Sequence, residues 1–597
     1  MKNKYLKSKR CILGLFLFMF ILFSGTAHAQ RLVKGTVVDA ETKETLPGVN
    51  VVVLGTTKGV ATDLDGNFSI SLDEKEIWLQ FSYTGYEKVD IDVSNRNSLT
   101  VQLKQITTMM DEVVVIAYGS VRKSDLTGAV SSIKTADIGK VTSFNAEQSL
   151  QGKVSGVQIT STSGAPGAGS SVRIRGVGTF NNSSPIYVVD GVILDDISFL
   201  NAADIASMEI LKDASSTAMY GSRGANGVIL VQTKTGSASL DKPFVSVLME
   251  SSLQQLDRKI DLLDGKQFAI ISNEISPGTY NNVDAVPNTD WQDEIFSVAP
   301  MHNYQVSVTG SSENSDYYLS VGLFQQEGII DRSHIERLTV QLNNTYRITK
   351  KFKIGNTITI SPSSQQVSPN VTFAAYRAQP VLEPYYADGS YGVVYNVGNP
   401  LASLKYSNNY NSGLRLVGNV YAEALIANAF IVKSSFGTDA GYSQSKSFTP
   451  AYTIYNPDGT ASQQQNEFSD LFKGNGINYT WLWENTVNFN KVFAEKHAVN
   501  AIVGYTMQQT RSESMGMSGQ NVLRDAEDFW YVLPSYIVDE ANNINMLSSI
   551  YNGVNPNNYY NMMSYLLRFQ YTYDEKYLAT VTLRRDGSSK FEEDNRW

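Results

Sequence analysis

The sequence predicts a strand-dominated membrane protein: a small N-terminal β-sandwich, then a mixed α/β unit, then the first half of a large antiparallel transmembrane β-barrel. Segments of about 10 residues that alternate an aromatic-rich apolar face with a polar face fill the second half of the chain, as in outer-membrane barrels. The connections between these segments are alternately long and short. No later stretch approaches the roughly 18 apolar residues of a membrane helix, so a closed barrel is the structure that satisfies the backbone in lipid.

The first 29 residues carry the features of a secretory signal peptide. Cations precede an apolar run that begins at Cys11 and ends at Phe23, and Ala27-His28-Ala29 is an A-x-A cleavage signal. An uncleaved anchor is the alternative, although the run is short for a membrane span. Cleavage removes Cys11, the single cysteine, and takes the net charge from −9 to −14 because five cations leave with it. These are Lys2, Lys4, Lys7, Lys9 and Arg10.

Composition narrows the class of partner. An acidic mature chain argues against nucleic acid, because phosphates attract basic proteins. Charged residues make up 18% of the chain, against an average of about 25%. Aromatic residues make up 11%, with 33 tyrosines among the total, and such amphipathic rings suit the girdles of a lipid-facing surface.

Residues 30–104 are predicted to form a β-sandwich. Strand-like runs at 33–38, 49–54 and 68–72 accompany an Asp65-Gly66 hairpin turn. The segment 63–74 has the length of a calcium loop, but Phe68 occupies the sixth position, where that loop needs glycine. A plain turn is therefore the favoured interpretation. The domain resembles the regulatory β-sandwich of carboxypeptidases, which also precedes some outer-membrane receptors.

A short extended segment lies in the linker 105–118, outside the patterns on either side of it. Asp111 and Glu112 begin it and Ala117 ends it. Its four central residues are β-branched and favour extended backbone, and such a segment can add a strand to the sheet edge of another protein. The alternative is an edge strand of the N-terminal domain. The four central residues are Val113, Val114, Val115 and Ile116.

Residues 119–237 are predicted to form the mixed α/β unit, and glycines punctuate it. A G-x-x-G-x-x-G run at 221–227 invites a nucleotide-binding interpretation, but a strand follows it, whereas a phosphate loop opens a helix. We therefore predict tight turns at a crowded interface. The turn glycines are Gly176, Gly191, Gly221, Gly224 and Gly227.

Residues 238–597 are predicted to hold about eleven barrel strands. The first strand runs outward from the periplasm, so that 254–301 is a long outer loop. Plugged barrels have about 22 strands, so the sequence is predicted to be the front half of a longer protein. A soluble β-sandwich repeat is the rival, but it gives no reason for alternating loop lengths. The predicted strands are 244–253, 302–309, 316–325, 335–348, 351–360, 414–426, 430–438, 478–489, 497–510, 563–573 and 577–585.

A set of motifs along the chain resembles the SusC/RagA family of TonB-dependent outer-membrane transporters. The motifs cover the whole α/β unit, and one more lies near the end of the sequence. The family's closing barrel strands are absent. The motifs are DEVVVIAYG at 111–119, KSDLTGAVSS at 123–132, LQGKVSGV at 150–157, VRIRG at 172–176, PIYVVDG at 185–191, MEILKDASSTAMYG at 208–221, RGANGV at 223–228 and RRDGSS at 584–589.

The resemblance implies active import across the outer membrane, with the N-terminal domain and plug on the periplasmic side. Residues 111–117 would be the TonB box and 119–237 the plug. TonB would pull on the plug, and a SusD-like surface lipoprotein would cover the outer cavity. Oligosaccharides are the cargo class that the family favours, and peptides are the alternative. A TonB-linked signalling receptor is the second hypothesis, and a secreted β-rich adhesin is the third.

The resemblance also implies a lock between plug and barrel. Arg173 and Arg175 lie on one face of their strand, and family arginines at this place bind carboxylates inside the barrel. Glu484 is an inward-facing candidate partner. The alternative is a salt bridge within the plug, to Asp190 or Glu209.

Nothing in the sequence predicts an enzyme, a metal site or a cofactor. His302, His334 and His497 each lack a second histidine at metal-binding spacing. The nucleophile motif G-x-S-x-G is also absent. We therefore expect no catalytic residues and no bound cofactor.

Overall fold

The computed structural model describes residues 31–597 except 41, 57, 74–76, 84–85, 95, 105–112, 117–118, 123–128, 135–143, 237–241, 523 and 531–548. The predicted signal peptide, together with Asp111, Glu112 and Ala117, lies outside the described residues. The chain divides into two compact units, Met1–Glu112 and Val113–Trp597.

The first unit is a β-sandwich, as the sequence predicted. Apolar side chains from alternate positions of both sheets fill the space between them, and the rings of Phe68 and Phe81 meet edge to face at 5.3 Å. One sheet has the order β4-β1-β7 and the other the order β3-β2-β5-β6. The strands are β1 (Arg31–Asp39), β2 (Asn50–Val53), β3 (Gly59–Ala61), β4 (Asn67–Leu72), β5 (Trp78–Ser82), β6 (Val89–Asp92) and β7 (Ser98–Leu103).

The acidic turn of this unit closes on itself. Asp63 Oδ1 accepts the backbone N–H groups of Asp65 at 3.0 Å and Asn67 at 2.8 Å. Gly66 has φ 74°, a left-handed conformation that glycine adopts without strain. These contacts are those of a plain turn, in which the Asp63 side chain stabilises the backbone.

The second unit begins with a hairpin and continues into the plug. The hairpin pairs β8 (Val113–Ile116) with β9 (Gly119–Arg122). The main plug sheet has the order β10-β15-β16-β13-β14, in which β13 and β16 are parallel. Its strands are β10 (Val130–Lys134), β13 (Ile186–Val189), β14 (Val192–Leu194), β15 (Ile205–Leu211) and β16 (Val228–Thr233), while β11 (Val157–Ser161) and β12 (Ser170–Ile174) form a separate hairpin.

Helical turns join the plug strands around a continuous apolar core. β15 and β16 are apolar over most of their length because both faces of the sheet are covered. The core collects valine, isoleucine and leucine from all seven plug strands. The helical turns are the α-helix α1 (Ala214–Thr217) and the 3₁₀ segments Ala146–Leu150, Ala202–Asp204 and Ala218–Asn226.

An eleven-stranded antiparallel sheet, called the wall below, surrounds the plug. Each strand pairs with the next along the chain, apart from one hairpin inserted before the eighth strand. The strands are β17 (Phe244–Gln254), β18 (Ala299–Ser311), β19 (Ser315–Glu327), β20 (His334–Thr349), β21 (Phe352–Val367), β22 (Asn408–Ile426), β23 (Phe430–Thr449), then, after the separate hairpin of β24 (Tyr452–Tyr455) and β25 (Ala461–Asn466), β26 (Asp470–Phe493), β27 (His497–Gln520), β28 (Ser549–Tyr573) and β29 (Tyr577–Ser588).

The wall confirms the predicted strand order and the alternation of connections. Turns of two or three residues close one side of the sheet, at 312–314, 350–351, 427–429, 494–496 and 574–576. Longer connections lie on the other side, at 255–298, 328–333, 368–407, 450–469 and 521–548. These are called the short-turn side and the long-connection side below. Closure of the sheet into a barrel stays a prediction.

The two faces of the wall differ as the alternating pattern predicted. On β26, Trp483 is 41% exposed on the outer face, whereas the neighbouring Glu484 is 8% exposed and faces the plug. Exposed apolar side chains continue over the outer face of the other strands; examples are Val321, Val503 and Leu583. A continuous exposed apolar face of this extent is typical of a surface that contacts lipid.

The wall strands extend beyond their predicted ends, and the long connections contain further structure. The extensions are rich in glycine and serine, so the alternation of apolar residues fades there. The connections 255–298 and 368–407 pack together around Trp291, Ala375 and Leu404. They contain α2 (Gly265–Ile275), α3 (Trp291–Ile295), α4 (Thr372–Arg377) and α5 (Pro400–Tyr406). Within the described part of the chain, none of the helices has both the length and the apolar character to cross a membrane.

Candidate functional site at the interface of plug and wall

Asp204 of the plug is the centre of one cluster of hydrogen bonds to the wall. It is the last residue of the 3₁₀ turn at 202–204, directly before β15, and it is fully buried. Its Oδ1 accepts from Gln305 Nε2 at 2.6 Å, Tyr318 Oη at 2.8 Å and Ser320 Oγ at 2.6 Å. Burial raises the pKa of this carboxyl, and the three donors oppose that rise. Hydrogen bonds to a carboxylate are about twice as strong as neutral ones, so this cluster anchors the plug to β18 and β19.

Arg415 joins the plug to the wall on the long-connection side. Its Nη1 lies 2.7 Å from Asp196 of the plug, while Nε and Nη2 bind Asp439 of β23 at 2.9 and 3.0 Å. The guanidinium carbon lies 4.6 Å from the centre of the Phe199 ring. Burial alone would raise the pKa of Asp196, but Arg415 and Ser198 lower it overall. The planar guanidinium therefore holds two carboxylates in fixed positions.

Two other wall arginines bind backbone carbonyls of the plug. Arg337, 2% exposed, donates to the carbonyls of Phe144 and Ser198 and lies 4.5 Å from the Phe144 ring. Arg584 donates to the carbonyl of Met219 and binds Asp586 within the wall. A carbonyl satisfies the guanidinium without supplying a full opposite charge, so these contacts depend on close geometry.

Wall asparagines complete the interface. Asn343 Nδ2 donates to Thr233 Oγ1 and to the Lys234 carbonyl, both at 2.7 Å. Asn419 Nδ2 donates to the Asp190 carbonyl at 2.9 Å. Both contacts lie where a plug strand ends, at β16 and β13. The wall thus binds the loops and ends of the plug strands through neutral amides as well as charges.

The predicted lock between plug and barrel stays a prediction, and the hydrogen bonds that the structure gives for Arg173 lie inside the plug. Arg173 donates to the Val172 carbonyl at 2.9 Å and to Ser184 at 3.3 Å, both within the plug. Arg175 is exposed at the end of β12. Among the described residues neither arginine has a carboxylate partner in an ion pair. Arg175 follows the last residue of β12 and has φ 57°, so the alternation of the strand does not extend to it. The hairpin of β11 and β12 contacts the wall through its tip, at Pro166 and Gly167.

The predicted carboxylates have other roles. Asp190 accepts from the backbone N–H and the hydroxyl of Thr233, at 3.0 and 2.6 Å. Glu209 accepts from Ser207 at 2.7 Å. Glu484 faces the plug, as predicted, beside Tyr220 and Lys433. The geometry therefore reverses the predicted polarity: in the ion pair between plug and wall the plug supplies the carboxylate and the wall supplies the arginine.

Two of the predicted turn glycines lie at crowded contacts. At Gly221, φ is 63° and a side chain would collide with Asp586 and Arg584 of the wall. At Gly227, φ is 96° and a Cβ atom would lie 2.7 Å from Ile174. Gly176 and Gly191 also have positive φ, whereas Gly224 does not. Larger residues at 221 and 227 would combine backbone strain with steric overlap.

A cavity of about 340 Å³ opens between plug and wall on the long-connection side, and is called the outer cavity. The carboxylate of Asp195 and the phenol of Tyr442 line it, together with hydroxyls and amides. Arg415 and Asp439 also line the cavity, and they form an ion pair with each other. The other polar lining residues are Asp196, Ser198, Arg337, Ser361, Ser363 and Asn478.

A buried acid lies near this cavity inside the plug. Glu147 is 5% exposed, and burial raises its pKa to about 7 despite hydrogen bonds from Tyr187 and the Ile197 backbone. The nearby charge of Asp196 also raises it. Glu147 thus titrates near neutral pH, close to Asp196, the plug residue that Arg415 binds.

The sequence analysis missed Asp204, Arg337 and Arg415. A signal for the arginines was present, because an ionisable residue inside a predicted membrane strand is a functional candidate by default. Arg337 and Arg415 both lie in predicted strands, at inward positions. Asp204 could not be found in this way, since its partners come from two strands about a hundred residues further along the chain.

Comparison with known proteins agrees with this architecture. A CarboxypepD_reg-like domain matches residues 33–115, and a TonB-dependent Receptor Plug Domain matches residues 122–228. "TonB-dependent receptor P3" of Formosa agariphila is 35% identical over all of this chain. "TonB-dependent receptor SusC" of Bacteroides thetaiotaomicron is 31% identical over 98% of it. The chain belongs to the SusC/RagA family of TonB-dependent receptors.

The chain spans 58% of receptor P3 and 59% of this SusC protein. A solved structure of the RagAB peptide importer in its "open-open" state has a similar fold, with a TM-score of 0.71 and 23% identity over 81% of this chain and 57% of that one. Members of the SusC/RagA family are outer-membrane proteins, which confirms the predicted location. The relatives are receptors and not enzymes, in agreement with the sequence analysis.

Replacement of Asp204 should loosen the plug of this SusC/RagA protein. Asp204→Ala deprives Gln305, Tyr318 and Ser320 of a shared acceptor, and leaving a buried polar group without its partner costs about 1–3 kcal/mol. We expect a lower melting temperature and faster proteolysis of the plug in the purified full-length protein. Asp195→Ala, at an exposed neighbouring carboxylate, is the control. Equal melting of both variants and the wild type would show that Asp204 is not an anchor.

Glu147 should make stability depend on pH. Its folded-state pKa is raised, so its contribution is most favourable below its usual pKa of about 4.5 and is lost as the pH rises towards 7. Glu147→Gln should remove that loss. Between pH 5 and pH 8 the variant should gain stability relative to the wild type, by up to roughly 3 kcal/mol. Thermal unfolding of the full-length protein measures the difference, with the exposed Glu294→Gln as control; identical pH profiles would contradict the assignment.

Proposed function

We propose that the full-length protein imports a nutrient across the outer membrane by a TonB-dependent mechanism, and that oligosaccharides are its cargo. The observation that carries the proposal is the polar interface between plug and wall, in the same unit as the extended segment β8, one edge of which has no partner strand among the described residues. TonB would bind the segment 111–117 from the periplasm and pull on the plug. A SusD-like lipoprotein would close the outer side.

The backbone of the proposed TonB box supports strand addition. β8 pairs with β9 and has no other partner strand within the described part of the chain, which leaves its second edge available. A strand from TonB would bind there through main-chain hydrogen bonds, with little dependence on side chains. The pairing of β8 with β9, rather than with a strand of the first unit, also weighs against the edge-strand alternative.

The interface between plug and wall supports release by force. Hydrogen bonds such as those of Asn343 and Asn419 exchange for water, so each contributes only about 1 kcal/mol net. Arg415 and Asp204 form stronger, charge-assisted bonds at separate places. A pull applied at β8 would therefore meet a series of local polar contacts, together with the apolar contacts of the plug with Val417, Ile502 and Leu566 of the wall.

The outer cavity supports a cargo with many hydroxyl groups. Its lining combines Ser361, Ser363, Asn478 and Tyr442, which donate and accept neutral hydrogen bonds. The similarity to SusC agrees with this class, since 31% identity extends over almost the whole chain. Peptides are the second candidate, favoured by the likeness in fold to a peptide importer and by the free carboxylate of Asp195, which suits an amino terminus.

The packed long connections support a lid on the same side as the outer cavity. The helices α3, α4 and α5 pack there around one apolar cluster, which gives a partner a firm surface. A signalling receptor is less favoured, because the first unit is a β-sandwich and signalling modules mix helices with strands. A secreted adhesin is disfavoured by the apolar outer face of the wall.

Val114→Pro should block uptake and leave surface binding of cargo intact. Proline removes a backbone donor and fixes φ, so it weakens main-chain pairing with TonB. Val114→Ala keeps the donor and is the matched control; it should transport normally. Uptake of labelled oligosaccharide by cells that carry the full-length gene measures both variants. Normal transport by Val114→Pro, or equal loss in Val114→Ala, would contradict strand addition at this segment.

A further inference from the structure

A second cavity, of about 570 Å³, lies between plug and wall on the short-turn side and is called the inner cavity. Asp190, Gly191 and Tyr220 face it from the plug, and strands β21, β22, β23, β26 and β27 face it from the wall. Its size lies within the usual range for small-molecule sites, roughly 300–1,000 Å³. Lys353 and Asn490, each beside a short turn, place it at the short-turn end.

The inner cavity is in line with the outer cavity along the same strands. On β22 the outer cavity touches Arg415 and the inner cavity touches Asn419, with Val417 between them. On β23 the corresponding positions are Asp439 and Ser435, with Gly437 between them. On each of these two strands, one inward residue therefore lies between the residues that line the two cavities.

Val192 of the plug lies against Gly437, the intervening residue on β23. A Cβ atom at Gly437 would lie 3.2 Å from Val192 Cγ2, so the plug approaches the wall closely at this glycine. Val192 and Val417 are both almost fully buried in the plug core cluster. Val192 belongs to β14, a three-residue edge strand that pairs on one side with β13. A short edge strand is the part of the sheet that moves with least disruption.

Two amide oxygens of the inner cavity lack donors. Asn419 donates to the Asp190 carbonyl and Asn500 donates to Asn488, while the Oδ1 atom of each amide has no hydrogen-bond partner among the described residues. A buried acceptor without a donor is unfavourable by about 1–3 kcal/mol. A hydroxyl of a ligand or a water molecule at each oxygen would supply the missing donor.

The charged groups of the cavity are engaged with one another. Lys353 and Glu423 form an ion pair at 2.9 Å. Lys433 lies beside Glu423 and Glu484, with its ammonium 4.7 Å from the Tyr421 ring centre. The three acids Asp190, Glu423 and Glu484 outnumber the two lysines, so the cavity gives an anion no unopposed positive charge. Neutral hydroxyls and amides remain for recognition.

We propose that the inner cavity is a second cargo site, which takes a neutral polyhydroxylated unit of the oligosaccharide after it passes β14. The inference rests on the proposed function. The unpaired oxygens of Asn419 and Asn500 accept sugar hydroxyls, and the paired charges exclude acidic sugars. Cargo would thus be held in two steps, on the outer and then on the inner side of Val192, Val417 and Gly437.

Adjacent serines on β23 provide the test. Ser435 is buried and lines the inner cavity, whereas Ser434 contacts Trp483 on the outer face. Ser435→Trp should fill the cavity and abolish uptake while surface binding persists, and Ser434→Trp should transport at the wild-type level. Cells with the full-length gene are offered neutral hexasaccharides of glucose, mannose or xylose, and a galacturonate hexamer.

Misfolding of Ser435→Trp would be revealed by its surface binding and its abundance in the membrane. A second, milder variant keeps the test decisive if that variant does not fold. Asn500→Leu keeps the volume and removes the acceptor, so uptake at low cargo concentration should fall about fivefold, the equivalent of one hydrogen bond. If the wild type imports none of the sugars, the proposed function fails and this inference with it. If the wild type imports a neutral sugar and both cavity variants do so equally well, the inner site alone is refuted. Import of galacturonate at least as fast as the neutral sugars would refute the assigned ligand class.

Discussion

The alternation of side chains along a β-strand gives the wall an apolar outer face and a polar inner face. The polar inner face depends on the plug, which supplies its hydrogen-bond partners. Outward positions carry apolar and aromatic groups such as Trp483, whereas inward positions carry Gln305, Ser320 and Asn343. An inward amide or hydroxyl in a closed space needs a hydrogen-bond partner. The plug supplies these partners from the ends of its strands and from its turns, so its position follows from the polar pattern of the wall.

The strongest contacts between plug and wall are made by charged side chains, which would lose their partners if the plug were released. Arg415 is bound by a plug carboxylate on one side and a wall carboxylate on the other. When Asp196 withdraws, Asp439 remains, so the arginine is never left as an isolated buried charge. Asp204 differs, because its partners are neutral side chains that can turn to one another or to water. The ion pair and the neutral cluster therefore allow the plug to leave without the large penalty of an unpaired buried ion.

Much of the wall could be predicted from the sequence, because a period of two with aromatic residues on one face has few interpretations. The eleven strands and the side on which each connection lies follow from it. The ends of the strands did not, since glycine and serine beyond the membrane region weaken the pattern in β27. Partners across long sequence distances, such as Asp204 with Ser320, were also out of reach. The alternation of residues along a strand shows which side of the strand Arg173 faces, but it does not show which residue of another strand lies against it.

The same period of two also orders the interior along the direction of transport. Inward positions on β22 run from Arg415 through Val417 to Asn419, which are in turn a charged contact, an apolar contact and an amide. On β23 the inward series runs from Asp439 through Gly437 to Ser435. The two series are offset in the register of the sheet, because Val417 pairs with Asp439 and Asn419 pairs with Gly437. On each of the two strands the apolar step is one residue deep, and Gly437 lets the Val192 side chain of the plug come close. In the proposed import, this thin barrier would resist passage while the plug is in place, and a small displacement of the short strand β14 would remove it.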